Sequence, residues 1–269
     1  MPLISDVLSL GAGVQSSTIL LMSIHGDLPK PDVAIFADTG WEPKAVYDWL
    51  TFLKTQAERS GIPLLTTSKG NLRDVILQNA GPVRRKRFAA IPFFVRNPGG
   101  QAGRLRRQCT REFKIDPIAR TVRESIGLRP RQHMKHSVRM WQGITTDEIY
   151  RVKTARIPWQ VNHYPLIDLG LSRHDCLQWL REHGYPEPPK SSCIGCPYHD
   201  DAYWSRMKRW APDEFAEAVA FDHAIRRLAT VHGDVFLHRS LQPLDQVEFK
   251  QKLGVEPDFL EECEGLCGV

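Results

Sequence analysis

The stretch Leu8-Ser9-Leu10-Gly11-Ala12-Gly13-Val14-Gln15-Ser16-Ser17-Thr18 decides how the rest of the chain is read. An apolar run over residues 4–10 reads as a strand and feeds straight into a turn of small residues. Residues 16–25 behind the turn are apolar enough to form the helix that returns across a sheet. A small-residue loop in that position leaves backbone N–H groups at the positive end of a helix, an anion site suited to phosphate. The spacing fits neither G-x-x-x-x-G-K-[ST] nor G-x-G-x-x-G, which excludes a Walker loop and a dinucleotide fingerprint.

Working outward, residues 32–37 read as a short strand that ends in Asp38-Thr39-Gly40-Trp41-Glu42. Polar residues at a strand's C-terminal end, beside a phosphate loop, lie at the ligand edge of an open α/β sheet. A helix follows over 43–60, with Pro43 in its first turn and Gly61 at its close. Then come a strand over 62–67 and a helix over 71–80, and this β-α-β-α-β-α order predicts a doubly wound parallel sheet. Further along, 109–126 has helical character interrupted by Pro117, 137–144 reads as a strand, and 163–169 as a short strand. Residues 172–183 form a well-signalled helix, with Ser172 and Asp175 as a capping box and Gly184 as its stop. After an irregular stretch over 186–197, two helices are expected over 200–210 and 212–231. The expected division is an α/β nucleotide-binding domain over 1–170 and a helical, cysteine-bearing segment over 171–269 packed on the same site.

With 269 residues, 42% hydrophobic and 25% charged, the chain can bury a sizeable core as a globular protein. No apolar stretch approaches the ~20 residues that span a bilayer, and the start lacks a secretory pattern. A cytoplasmic location is expected, in which the six cysteines stay reduced unless they bind metal or do chemistry. The formal net charge of +5 is unevenly spread: residues 81–108 hold eight cations among glycines, prolines and phenylalanines. That stretch predicts a long mobile loop with two open readings. It is either a solvated surface loop or a clamp on a polyanion, built on Arg84, Arg85, Lys86, Arg87, Arg104, Arg106 and Arg107, with Phe88, Phe93 or Phe94 stacking bases.

Cys193-Ile194-Gly195-Cys196-Pro197 lets two thiolates point at one metal centre. One C-x-x-C does not close a site, since four thiolates are needed for an iron–sulfur cluster or an all-cysteine zinc. Structural zinc is the plainer reading, and a redox dithiol lacks the usual β-α context. Cys176 falls with Leu177 and Leu180 on an apolar helix face and reads as core.

Gly11, Ala12, Gly13, Val14, Gln15 and Ser16 occupy the six places of the S-G-G-x-D-S turn, so the loop resembles the PP-loop of the ATP pyrophosphatase superfamily. Further pieces, in the same order, resemble the PAPS reductase family within it. They are Asp38-Thr39-Gly40-x-Glu42, Cys109-Thr110-x-x-Phe113-Lys114-Ile115-x-Pro117, Gly143-Ile144-x-x-Asp147-Glu148-x-x-Arg151, Pro165-Leu166, Cys193-x-x-Cys196 and a Glu-Cys pair near the C-terminus.

The resemblance implies ATP or an adenylated nucleotide, with phosphates held by Ser9, Gly11, Gly13, Gln15, Ser16 and Ser17 and hydroxyl donors that include Thr18. Asp38 would orient the nucleotide or hold Mg²⁺; the plainer reading makes Asp38 and Glu42 a carboxylate pair at a helix start. Arg107, Arg111 and Lys114 bracket Cys109 and would hold the leaving anion. Gly143 would approach the nucleotide with its backbone, while Arg151 locks the loop through Asp147 or Glu148; an ordinary surface ion pair is the alternative.

Cys109, Cys193, Cys196 and Cys263 are the implied ligands of a [4Fe–4S] cluster, with zinc as the alternative. Gln108 stands where iron–sulfur members carry a second cysteine, so Cys263 or Cys267 supplies the fourth ligand, or a three-cysteine cluster keeps an open iron that binds sulfide. Cys263 is also the implied nucleophile of the family's reductases, although the tail Glu262-Cys263-Glu264-Gly265-Leu266-Cys267 lacks their histidine.

The implied activity is an ATP pyrophosphatase that adenylates a substrate oxygen for replacement by sulfur, as in DNA phosphorothioation systems and cluster-dependent tRNA thiolases. Its partners would be a nucleotide, DNA or tRNA, and a sulfur donor such as a cysteine desulfurase, with no membrane and with oligomers possible. Two other readings stay open: a PAPS or APS reductase served by thioredoxin, and a non-catalytic nucleic-acid-binding module with structural zinc.

Overall fold

The computed structural model describes residues 4–79, 91–129, 131–228 and 231–249. The chain begins with β1 (Asp6–Leu10), α1 (Val14–His25), β2 (Val33–Asp38), α2 (Lys44–Arg59), β3 (Leu64–Ser68) and α3 (Leu72–Asn79). A hairpin of β4 (Phe94–Arg96) and β5 (Ala102–Arg104) follows, then a π-helical turn (Arg111–Ile115) that runs directly into α4 (Asp116–Ser125). Next come β6 (Val138–Trp141), a 3₁₀ segment (Thr146–Arg151), β7 (Gln160–His163) and the short α5 (Pro165–Asp168). The remainder is α6 (Arg173–Glu182), α7 (Asp201–Trp210), α8 (Pro212–Ala224), β8 (Asp234–Phe236) and a last 3₁₀ turn (Leu244–Gln246).

Five strands form one sheet in the order β3-β2-β1-β6-β7, and every pairing in it is parallel. The doubly wound α/β expectation is therefore correct. Both faces of such a sheet are covered, so its strands are apolar almost throughout and neighbouring residues serve opposite faces. Leu8, Phe36 and Trp141 join one core with Leu20 and Leu21 of α1, Leu50 and Leu53 of α2, and Cys176 and Leu180 of α6. Their neighbours Val7, Ile35 and Met140 join the other, with Ile118 and Val122 of α4. Cys176 is fully buried in the first of these cores, as its helix face implied. In α2 the buried set Val46, Trp49, Leu50, Leu53 and Ala57 follows the spacing of a one-sided amphipathic helix. The capping box of α6 forms as expected, with Ser172 Oγ accepting from Asp175 N at 3.2 Å and Ser172 N donating to Asp175 Oδ2 at 2.8 Å.

Several local expectations are corrected. The strand expected over 163–169 lies earlier, at Gln160–His163, because Pro165 starts a helical turn instead. Helical character over 109–125 stands with the expected interruption, a π-helical turn over Arg111–Ile115 that ends just before Pro117 in the first turn of α4. Of the supposed loop, 91–108 contains the β4–β5 hairpin, which β8 extends to an antiparallel three-stranded sheet. Phe93 is fully buried there against Phe221, ring centroids 6.0 Å apart, so it stacks on the core and not on a base. Arg84, Arg85, Lys86, Arg87 and Phe88 lie outside the described residues, as do Cys263 and Cys267.

A third core joins Trp41, Phe93 and Phe113 to Ile194, Trp204, Phe221 and Leu237. Burying side chains of this size contributes about 1.5–3 kcal/mol each. The cysteine-bearing turn is thereby fixed against the end of β2.

Candidate active site

In an open parallel sheet, ligands bind beyond the carboxyl ends of the strands, where the winding reverses. Here β1 passes to β2 on one side and has β6 on its other, so that point lies between β1 and β6. The 11–13 turn leaves β1 at this place, with Ala12 in the left-handed region at φ 58°. Gly13 is the N-cap of α1, no side chain caps the helix, and its first turn carries no acidic residue. The backbone donors of this helix start therefore meet no competing carboxylate of their own. Ser9 ends up buried on β1.

The hydroxyls of the turn have specific partners. Gly11 N donates to Ser16 Oγ at 3.1 Å, which folds the turn onto the helix, and Ser17 Oγ accepts from Trp49 Nε1 at 2.9 Å. Thr18 Oγ1 donates back to Val14 O at 2.8 Å, so its hydroxyl serves the helix. Ser191 Oγ donates to Gly11 O and ties the cysteine-bearing segment to the turn. Gln15 stands in the usual aspartate place of the turn and is 1% exposed. Its Nε2 donates to Glu148 Oε2 and its Oε1 accepts from Arg173 NH1, both at 3.1 Å. Glu148 in turn pairs with Arg151, and all four side chains are buried. Of the two partners open to Arg151, Glu148 is the one used; Asp147 is exposed and accepts from Arg173 N at 3.3 Å.

At the end of β2, Asp38 Oδ1 accepts from Gly40 N at 2.7 Å and from Tyr47 OH at 2.9 Å. Burial and the bond to Asp38 push the Tyr47 hydroxyl up, so it stays protonated as a donor. Neither Asp38 nor Glu42 caps α2, whose start has no side-chain cap. Glu42 instead turns inward and is 3% exposed. Its Oε1 accepts from Thr39 Oγ1 at 2.9 Å, faces Cys193 Sγ at 3.7 Å and faces Lys114 Nζ at 3.7 Å. Its Oε2 is buried with no hydrogen-bond partner among the described residues.

Cys109, Cys193 and Cys196 line one cavity together with Thr39, Lys114 and Tyr198. Burial first, then the Glu42 carboxylate, pushes the Cys193 thiol well up, and Thr39 Oγ1 lies 3.3 Å from its sulfur. The tight Cys193–Cys196 turn needs Gly195, since a Cβ there would sit 2.1 Å from the Trp41 ring. Ile194 N donates to Trp41 O at 2.9 Å and locks the turn in register with β2's end. Among the described residues, no group of three His, Cys, Asp or Glu side chains could hold a metal ion. The sulfur donors are thus gathered on one cavity without closing a metal site, and a four-thiolate centre needs a donor from outside the described residues.

Arg111 and Lys114, read together from the sequence, part company on the π-helical turn. Lys114 is buried beside Glu42, whereas Arg111 is exposed, lies 3.8 Å from Asp116 and lines a different cavity. Arg107 remains on the cysteine side, over the Tyr198 ring at 5.1 Å. Gly143 is buried just past β6, next to Gln142 and Thr145, whose Nε2 and Oγ1 are buried without partners among the described residues. Sequence reasoning missed Arg173, Tyr47, Ser191 and Gln142. Arg173 looked like the first residue of a plain capped helix, and Ser191 had only its nearness to Cys193 as a signal.

No protein-family model matches the chain, and no curated protein matches it. Among solved structures, the chain is similar to the phosphoadenylyl-sulfate (PAPS) reductase of Candida auris in its phosphate complex. The two share 12% identity at a TM-score of 0.42, over 70% of this chain and 76% of that one. No helix among the described residues is long and apolar enough to cross a membrane.

Proposed function

We propose that the protein is a PP-loop ATP pyrophosphatase that adenylates an oxygen of a nucleic-acid acceptor and prepares it for replacement by sulfur. The observation that carries this reading is one juxtaposition. The uncapped start of α1, the Asp38 end of β2 and the cysteine cavity all meet at the sheet's carboxyl edge. In this reading the acceptor oxygen attacks the α-phosphorus of ATP and pyrophosphate leaves into the 11–13 turn, where main-chain N–H groups stabilise its charge. Asp38, held by Gly40 and Tyr47, meets Mg²⁺ or the nucleotide. Lys114, anchored by Glu42, steadies the anion that forms. Cys109, Cys193 and Cys196 form the sulfur-handling side. A [4Fe–4S] centre there would need Cys263 as its fourth donor, and the described cysteines alone do not close one. The fold, the uncapped helix start and the gathered cysteines support the reading in kind.

The test is product analysis with Mg²⁺-ATP. AMP and pyrophosphate should be released, and Ala12→Val, which places a branched side chain at a positive φ, should lower the rate about 100-fold through loss of the donor geometry. ADP as the main product, or conversion of PAPS or APS to sulfite without ATP turnover, would overturn the proposal.

A further inference from the structure

Beyond the end of β6 lies a second cavity, of about 180 Å³, that shares no lining residue with the cysteine cavity. It is smaller than the ~300–1,000 Å³ of a pocket for a drug-sized ligand, so it suits one ring system. Ile115, Ile144 and Ile157 give it apolar walls. Gln142 also lines it, and behind that wall its Nε2 is buried with no hydrogen-bond partner among the described residues. A buried donor without an acceptor is costly, and a ligand with an acceptor on its edge would relieve that cost.

The rim carries Arg111, Lys153 and Arg156, with Asp116 beside Arg111 at 3.8 Å as the opposing charge. This rim is held in place: Lys153 N donates to Tyr164 OH at 3.0 Å, and Lys153 O accepts from Tyr164 OH and from Asn162 Nδ2, both at 2.8 Å. A backbone fixed before binding loses less entropy when the rim meets an anion. Apolar walls, an amide donor in the depth and cations at the mouth together describe a flat heterocycle joined to phosphate.

We propose that this cavity takes one unstacked base of a single-stranded nucleic acid, with flanking phosphates on Arg111, Lys153 and Arg156. The inference rests on the reading of the protein as an enzyme acting on a nucleic-acid acceptor, and it assigns that acceptor its place. A mononucleotide with its phosphates in the 11–13 turn would leave the three rim cations, of which Arg111 has Asp116 beside it, without a phosphate, whereas a strand supplies one phosphate per nucleotide. Stacking and edge hydrogen bonds read the base, and the rim supplies salt-dependent affinity.

The test uses fluorescein-labelled single-stranded DNA and RNA oligonucleotides, with anisotropy read over a salt series and ATP turnover followed in the same preparations. Ala155→Trp, which fills the cavity, should weaken oligonucleotide binding about 10-fold, and Thr154→Trp at an exposed position of the same wall should do the same if Ala155→Trp folds poorly. Lys153→Ala with Arg156→Ala should flatten the slope of log affinity against log salt by about 0.7 for each lost phosphate contact. Gln142→Leu should erase discrimination among the four homopolymers. Both Trp variants and the double alanine variant should keep AMP release. Equal oligonucleotide affinity in wild type and both Trp variants would overturn the proposal, as would loss of ATP binding in place of oligonucleotide binding. If no AMP is released but the Trp variants still weaken the strand, the pyrophosphatase reading falls and the base cavity stands.

Discussion

The two flanks of the site are built on opposite terms. Around the 11–13 turn, Gln15 is tied through both ends of its amide, and Glu148, Arg151 and Arg173 complete a buried network about it. Around Cys193, a single carboxylate oxygen, Glu42 Oε1, faces a hydroxyl, a thiol and an ammonium, while Oε2 has no partner among the described residues. A network tied at several points holds a shape, and a carboxylate with an open oxygen keeps capacity for a proton or a ligand. The side chains behind the turn hold its main-chain donors in place, and the cysteine flank keeps an open side-chain oxygen.

The comparison breaks most visibly at Glu42. Glu42→Gln leaves Lys114 buried beside a neutral amide and should cost about 3–5 kcal/mol, read from urea unfolding, with Glu42→Gln/Lys114→Met recovering most of it. Gln15→Leu strips two bonds to charged groups, each worth about 1.5–3 kcal/mol, and should cost a similar amount in the same assay while leaving the cysteine flank intact. A loss in Gln15→Leu under about 1 kcal/mol would mean that the buried network does not hold the turn.

Thiol reactivity sharpens the same contrast on a smaller scale. Cys193 is buried with its thiol held protonated, whereas Cys109 and Cys196 are half-buried. Iodoacetamide at neutral pH should modify Cys109 and Cys196 about 10-fold faster than Cys193, as mapped by peptide mass spectrometry. Faster modification of Cys193 would remove the carboxylate's influence from the account.

The smallest effect is expected from His199, whose Nε2 meets Cys193 O at 2.9 Å. Burial lowers its pKa from 6.5 to about 3, so between those values the unfolded chain binds a proton that the folded chain does not. Its contribution is thus complete above pH 6.5 and lost as pH falls towards 3. Urea midpoints should decline over that window in the wild type and decline less in His199→Gln. An unchanged decline would place the acid sensitivity elsewhere.

Much of this was legible in the chain itself, because local and global signals agreed there. Alternating apolar strands, the small-residue turn and the Ser172 cap each specify an element on their own. What escaped reading depended on distance along the chain. Phe93 looked like a stacking aromatic amid cations, and Phe221 of α8, about 130 residues later, is among the residues that make it core. The parting of Arg111 and Lys114 follows from a π-helical turn, whose wider winding sends residues three apart in directions that an α-helix would not. Arg173 and Ser191 belong to the turn through contacts that span 158 and 180 residues, for which no local spacing is a signal.

The central claim is attack at the α-phosphorus of a nucleotide seated on the 11–13 turn. It is tested most directly by letting the protein hydrolyse Mg²⁺-ATP in ¹⁸O-water without an acceptor and locating the label by mass spectrometry. The account predicts ¹⁸O in AMP and none in pyrophosphate. Label in free phosphate alongside ADP would contradict it.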